Sequence, residues 1–210
     1  MPRTPPEPLQ WSMNGPNEVG IDEAGRGCLM GRVYVGLVML PDEVPPADSI
    51  WWQVRDSKKL SEKKRAVLRK FIQENAKSWK VEYANVEEIE RYNILQATIH
   101  AAHNGLHALS VRPDMILMDG PYFRFYIDPK TDHAVSHTCV PKGDSSYIAI
   151  AAASILAKEA RDEWVKEIAT EHPEYGWEKN KGYGTKQHRD AIKEHGVTSY
   201  HRMSFLKNLL

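Results

Sequence analysis

Arg32 to Leu40 reads R-V-Y-V-G-L-V-M-L, a β-branched run that is apolar at odd and even positions alike. A strand of this kind needs cover on both faces, so the run predicts a sheet held between two layers. Glu18 to Asp22 reads as a short extended segment before it, and the intervening A-G-R-G-C-L-M-G is a glycine-rich turn joining antiparallel neighbours. Pro41 to Pro46 is a loop, and Ser61, Glu62 and three basic residues predict a helix start running to about Lys77. Trp79 to Val86 is expected to be a strand. Ile94 to Leu109 is expected to be helical, with apolar spacing at Ile94, Ala97, Ala101, Ala102 and Leu106. Met115 to Met118 is a short strand ending in Asp119-Gly120, and Ala134 to Val140 is another. Tyr147 to about Glu171 is the longest helix, entered through A-I-A-A-A-S, and Lys186 to His195 is a last helix closed by Gly196. Strands first, then alternation, then helices predict an α/β sheet with helices on both faces and a helical C-terminal part.

The 210 residues suit one medium domain, and 41% hydrophobic with 27% charged residues is an ordinary globular composition. That excludes collagenous, mostly disordered and disulfide-scaffold chains. Cys28 and Cys139 form no C-x-x-C pair, which suits a reducing compartment, and no apolar run reaches the length of a membrane span. A soluble cytoplasmic protein with no membrane partner is therefore expected. Residues 1–16 hold five prolines and no apolar h-region, so they are expected to form a flexible leader. Residues 17–210 are expected to form one domain that includes the C-terminal helical region.

The acids fall where apolar elements stop. Asp22 and Glu23 follow Ile21 and precede Gly25, Asp119 ends I-L-M, and Asp144 follows Lys142-Gly143 just before the long helix. Ligand sites of α/β sheets gather at such edges. Adjacent strand residues point to opposite faces, so Asp22 and Glu23 share one site only if the glycine turn twists the backbone. Hard carboxylate oxygens without histidine or cysteine fit Mg²⁺ or Mn²⁺ rather than zinc. The competing reading is that these residues are turns and caps. His100, His103 and His107 have helical spacing but no partner ligand set, so they read as structural.

Equal totals of 28 basic and 28 acidic residues hide a segregation of charge. Arg55 to Lys70 holds eight basic residues against two acids, while residues 1–50 hold seven acids against three basic residues. A basic helix beside an acidic cluster suits a polyanion held by lysines and cut at a metal site. Its plain alternative is a solvated helix face. Lys179, Lys181, Lys186, His188 and Arg189 make a second, weaker basic patch.

Eight motifs occur in order: D-E-A-G-R-G at 22–27, D-S-K-K-L-S at 56–61, M-D-G at 118–120, K-G-D at 142–144, A-A-A-S-I-L-A-K at 151–158, R-D at 161–162, K-G-Y-G-T at 181–185 and H-R-M-S-F at 201–205. Together they resemble type 2 ribonuclease H, the ribonuclease HII family, from about Val19 to Phe205. The resemblance implies a ribonuclease H-like fold, a central mixed β-sheet flanked by α-helices with a helical C-terminal portion. It implies a metal-dependent endoribonuclease that cleaves the RNA strand of RNA–DNA hybrids and at ribonucleotides embedded in duplex DNA. Position by position, the family's metal-binding catalytic acids match Asp22, Glu23, Asp119 and Asp144. Its G-R-G element, which senses the ribose 2′-hydroxyl, matches Gly25, Arg26 and Gly27, and its partner tyrosine matches Tyr183.

Two cations about 4 Å apart would activate a water and stabilise the departing 3′-oxygen, leaving 3′-hydroxyl and 5′-phosphate ends. Backbone contact through glycines reads a 2′-hydroxyl without reading base sequence. Lys58 and Lys59 are expected phosphate contacts, with helix support as the alternative. Arg161 and Asp162 are expected to pair structurally, and Arg202 either touches DNA or holds the fold. The loop after G-R-G departs from the family's prolines and small residues and reads C-L-M-G-R. No sliding-clamp peptide is evident in Met203 to Leu210, and a monomer is expected. The alternatives are a different ribonuclease H-like phosphoryl-transfer nuclease, or a hybrid-binding module with weak catalysis.

Overall fold

The computed structural model describes residues 9–207. Its strands are β1 (Glu18–Ala24), β2 (Val33–Met39), β3 (Ser78–Ala84), β4 (Met115–Asp119), β5 (Tyr126–Asp128) and β6 (His133–Val140). Its helices are α1 (Glu62–Asn75), α2 (Val86–Ala108), α3 (Ile148–Glu171), α4 (Trp177–Asn180) and α5 (Lys186–His195). The strands form one mixed sheet in the order β3-β2-β1-β4-β6-β5. The pairs β1–β2, β2–β3 and β5–β6 are antiparallel, and β4 lies parallel to both β1 and β6.

Every residue of β2 is buried, as its two-faced apolar pattern requires. On one face Val33, Val35 and Leu37 meet Ala97, Ala101 and Leu106 of α2. On the other, Val38 meets the small-residue run of α3, over which Leu68 and Ile72 of α1 pack. This contact is close because the sheet carries glycines beneath the alanines. A Cβ on Gly20 would sit 2.3 Å from the Ala149 carbonyl carbon, and one on Gly36 would sit 2.2 Å from the Ala153 oxygen. A third cluster joins Met30, Val165, Tyr175, Trp177 and Ile192 and forms the helical C-terminal part.

Residues 9–11 of the expected leader are packed against the protein. Gln10 donates its amide to the Ser146 carbonyl at 2.8 Å and accepts from the Ile148 amide at 3.0 Å. Leu9 and Trp11 pack into the α1–α3 cluster, because apolar side chains next to a core are buried even in a proline-rich context. Residues 1–8, the rest of that leader, lie outside the described residues, as do residues 208–210 of the tail.

Helix α2 begins eight residues before the expected start, at a capping box between Asn85 and Glu88. It is broken at Asn93 (φ 65°, ψ 163°), whose side chain accepts from the Leu95 and Gln96 amides and caps a second segment. The expected helix from Ile94 is that second segment. Among the described residues, no helix is long and apolar enough to cross a membrane.

Candidate active site

Strands β1 and β4 run parallel with Ile21 level with Met118, so Asp22 and Asp119 emerge side by side at the same sheet edge. Strand β1 stays regular through Ala24, and no twist brings Asp22 and Glu23 onto one face. Asp22 leaves on the α3 face, where only 5% of it is exposed. Glu23 leaves on the opposite face, and Asp119 at the end of β4 raises both carboxyls. The Asp119 Oδ1 atom accepts from the Gly143 amide at 2.7 Å, which fixes the turn after β6. Left-handed Lys142 (φ 61°) starts that turn, and the single 3₁₀ turn Gly143–Ser145 carries buried Asp144.

The four acids are thus brought to one edge, and their electrostatics register it. Burial, then Glu23, Asp119 and Asp144, raise the Asp22 carboxyl well above its ordinary range. Burial and Asp119 raise Glu23 against the pull of Arg26, whose Nη1 lies 3.5 Å from Oε1. Burial, Asp56 and Asp119 raise Asp144. Among the described residues, no group of three or more His, Cys, Asp or Glu side chains is already gathered as a metal cage. Backbone amides hold two of the acids: Asp119 accepts from Gly143, and Asp22 from the Glu23 amide, at 2.7 Å each. The donor set fits a hard divalent cation, since it consists of oxygen anions at neighbouring strand ends whose ionised forms need a counter-charge.

The basic stretch divides in two. Lys58 faces the acids: burial works to lower its ammonium, but Asp22, Asp144, Asp56 and Asp119 outweigh it and raise it. The Lys59 Nζ atom donates to Ser145 Oγ at 3.2 Å, beside Asp144. Asp56 caps this turn by accepting from the Lys58 amide at 2.9 Å, and its carboxyl meets that of Asp144. Asp56 opens the D-S-K-K-L-S motif, but nothing in its local sequence signals a place beside the site. The helix part faces α3 instead. Arg65 donates to Glu159 at 2.5 Å and Arg69 to Glu163 at 2.9 Å, so these charges tie two helices together.

The G-R-G turn follows β1 directly. Gly25 has φ +94°, and a Cβ there would lie 2.1 Å from Arg161 Nε, so only glycine fits. Arg161 is buried and donates to the carbonyls of Lys181 (2.9 Å), Arg32 (3.3 Å) and Met30 (3.4 Å). It does not pair with Asp162, which Lys158 holds at 2.6 Å. Arg202 is fully buried, with Nη1 donating to the Arg26 and Cys28 carbonyls at 3.0 Å each and Nε to Gly31 at 2.8 Å. Its role is to hold the loop, since nothing of it reaches solvent.

The Leu29 amide donates to the Gly182 carbonyl at 2.8 Å, joining the G-R-G loop to K-G-Y-G-T. Tyr183 is 45% exposed. Its phenol is pushed up by burial and by Cys28, which fills the space beside it. Gly27 faces open space. Of the three helical histidines, His103 Nε2 lies 3.1 Å from the Arg124 carbonyl, a structural contact.

The ribonuclease HII family model matches residues 19–208. Ribonuclease HII of Parabacteroides distasonis is 47% identical over 197 residues, covering 94% of each chain. That of Bacteroides thetaiotaomicron is 49% identical over 193 residues, 92% of this chain and 90% of the relative. Among solved structures, the ribonuclease H2 of Pyrococcus horikoshii superposes with a TM-score of 0.72 at 22% identity, over 91% of this chain and 96% of that one. A Bst ribonuclease HIII in complex with Mn²⁺ gives 0.67 at 17% identity, over 90% and 67%. An Archaeoglobus fulgidus RNase HII in complex with PCNA gives 0.71 at 24% identity, over 89% and 93%. By fold and by sequence, this chain belongs to the ribonuclease HII family, divalent-metal-dependent endoribonucleases that act on RNA–DNA hybrids.

Proposed function

We propose that the enzyme cleaves both RNA–DNA hybrids and single ribonucleotides embedded in duplex DNA, at a two-cation centre held by Asp22, Glu23, Asp119 and Asp144. The observation that carries this reading is a continuity of chain: Gly25 follows Glu23 by two residues, and the loop it opens is hydrogen-bonded to the loop of Tyr183. A ribose read by Gly25, Arg26, Gly27 and Tyr183 therefore has its phosphate delivered to the acidic edge. When bound, Mg²⁺ or Mn²⁺ would supply Lewis acidity and an activated water there. The Mn²⁺ in the ribonuclease HIII neighbour supports that choice of ion.

In this reading the backbone amides and carbonyls of the glycine turn hydrogen-bond the 2′-hydroxyl, and the Tyr183 ring packs on the neighbouring sugar. Its phenol shares the hydroxyl's hydrogen bond. Lys58 and Lys59 hold phosphates beside the acids, where the raised Lys58 ammonium stays charged. The products carry 3′-hydroxyl and 5′-phosphate ends. The reading takes the enzyme to act as a monomer without a sliding-clamp partner; Phe205 and Leu206 of the tail pack into the protein.

The test is cleavage of a DNA duplex bearing one ribonucleotide, beside an all-DNA duplex and a long hybrid, with Mg²⁺ and with chelator. Cleavage of the hybrid and at the single ribonucleotide, but not of all-DNA, with Mg²⁺ and not with chelator, supports the reading. Cutting of all-DNA would favour a different nuclease of the same fold, and binding without cleavage would favour a non-catalytic module.

A further inference from the structure

His188 and His201 are buried in the C-terminal part, 0% and 2% exposed, with their Nε2 atoms 3.3 Å apart. Their surroundings fix where each proton sits. Trp177 Nε1–H can only donate, and it lies 2.9 Å from His188 Nε2, so that nitrogen is the acceptor. The His188 proton is then on Nδ1, which lies 3.0 Å from the Tyr183 carbonyl. Likewise the Thr198 amide donates to His201 Nδ1 at 2.9 Å, leaving the His201 proton on Nε2, 3.3 Å from the His188 nitrogen whose one lone pair Trp177 takes at shorter range. Both rings are kept neutral by burial, His201 with its pKa lowered to about 4.

The same segment holds the other half of the ribose reader. Around His201 the chain pairs with the loop after G-R-G, Gly31 N to Tyr200 O and Arg202 N to Leu29 O, at 2.8 Å each. The next side chain, Arg202, binds the carbonyls of Arg26 and Cys28. Consecutive side chains therefore reach the two loops by separate routes.

We propose that His188, packed against Trp177 and His201, sets the Tyr183 loop against the G-R-G loop through its Nδ1–H bond to the Tyr183 carbonyl, making it a positioning residue for recognition of a single ribonucleotide. The proposal rests on Tyr183 reading the ribose. The one contact between His188 Nδ1–H and the Tyr183 carbonyl is the link to selectivity. On a long hybrid, neighbouring 2′-hydroxyls offer other registers, so general cleavage depends less on this placement.

The two ends of the His188 ring can be separated. Asparagine keeps a donor at the Nδ1 position, so His188→Asn retains the bond to Tyr183 and loses the link to Trp177 and His201. Glutamine places its amide near the Nε2 position, so His188→Gln loses the bond to Tyr183. The readout is the ratio of kcat/KM on a one-ribonucleotide duplex to that on a long hybrid, for wild type, Tyr183→Ala and both His188 variants. The ratio is expected to fall about fivefold to tenfold in Tyr183→Ala and His188→Gln, and to stay within about twofold of wild type in His188→Asn.

If Tyr183→Ala lowers the ratio and His188→Gln does not, or both His188 variants lower it alike, this role of the His188–Tyr183 bond is overturned and the reading of Tyr183 stands. If Tyr183→Ala leaves the ratio unchanged, the reading of Tyr183 itself fails. A second measurement needs no variant: ¹⁵N spectra of histidine-labelled wild type should show His188 as the Nδ1–H tautomer and His201 as the Nε2–H tautomer. His188 protonated at Nε2 would overturn the proposal.

Discussion

Asp22 lies directly across the antiparallel ladder from Gly36, and the absent side chain of Gly36 is what lets the Ala153 carbonyl of α3 close over that strand. The burial that raises the Asp22 carboxyl is thus linked to a glycine on the neighbouring strand. Gly36→Ala would place a methyl 2.2 Å from backbone oxygen, which cannot swing away as a side chain could. We expect a loss of about 1–3 kcal/mol, the usual cost of overpacking, and a fall in cleavage as α3 is displaced from the acidic edge. Urea unfolding of the variant checks the first, and Mg²⁺-dependent turnover the second.

The histidine pair makes stability depend on pH in a known sense. The folded pKa of His201 is lowered from 6.5 to about 4 by burial, then by His188 and His172, so the unfolded chain binds the proton first as pH falls. This contribution is complete above about pH 6.5 and is lost progressively as pH falls toward about 4. The lowered pKa of His188 acts in the same direction. Urea midpoints measured from pH 7.5 downward should therefore fall more steeply for wild type than for His201→Phe; parallel curves would contradict it.

Binding should respond to the two lysines that face the acids. Lys58→Ala with Lys59→Ala should weaken hybrid affinity and reduce the slope of log affinity against log salt by about 1 for each phosphate no longer neutralised. The bond that is cut should not change. Arg69→Ala, which removes a helix–helix ion pair, should leave the salt slope unaltered.

The division of labour within Tyr183 is open to a simple comparison. Tyr183→Phe keeps the ring and loses the hydroxyl, a change of roughly 1 kcal/mol for a neutral hydrogen bond. Tyr183→Ala also loses the surface that places the sugar, and with it the alignment of the phosphate. Phe should be milder than Ala, and both should matter more on one ribonucleotide than on a long hybrid. Equal losses on both substrates would remove the distinction.

Much of this arrangement is legible in the order of residues. The two-faced run of β2 demands a covered strand, and the acids at element ends mark the sheet edge without any knowledge of the pairing. What local sequence does not carry is the meeting of distant segments. The fit of Gly20 and Gly36 beneath Ala149 and Ala153 joins positions more than a hundred residues apart, and only the paired strands reveal it. Arg65 and Arg69 look like part of one basic surface until α3 supplies Glu159 and Glu163. The meeting of Asp56 with Asp144 and the carbonyl partners of Arg161 and Arg202 are tertiary in the same way. Asn93 is a different case: an asparagine side chain can end one helix and cap the next, so periodicity alone finds only the second.

In the proposed function, Asp22 and Asp119, brought together by parallel β1 and β4, serve as anionic metal ligands for cleavage at a ribonucleotide. Asn is nearly isosteric with Asp but removes the charge, and in Asp22→Asn it also removes a buried group disfavoured in its ionised form, so the metal-free fold should be kept or strengthened. The decisive measurement is single-turnover cleavage of a one-ribonucleotide duplex in Mg²⁺ by wild type, Asp22→Asn and Asp119→Asn, each confirmed folded by its thermal transition. We expect a folded protein and a rate lowered by a factor on the order of 10³ or more in each variant, the scale of losing charge stabilisation at a reacting phosphate. Near wild-type cleavage by either variant would contradict it.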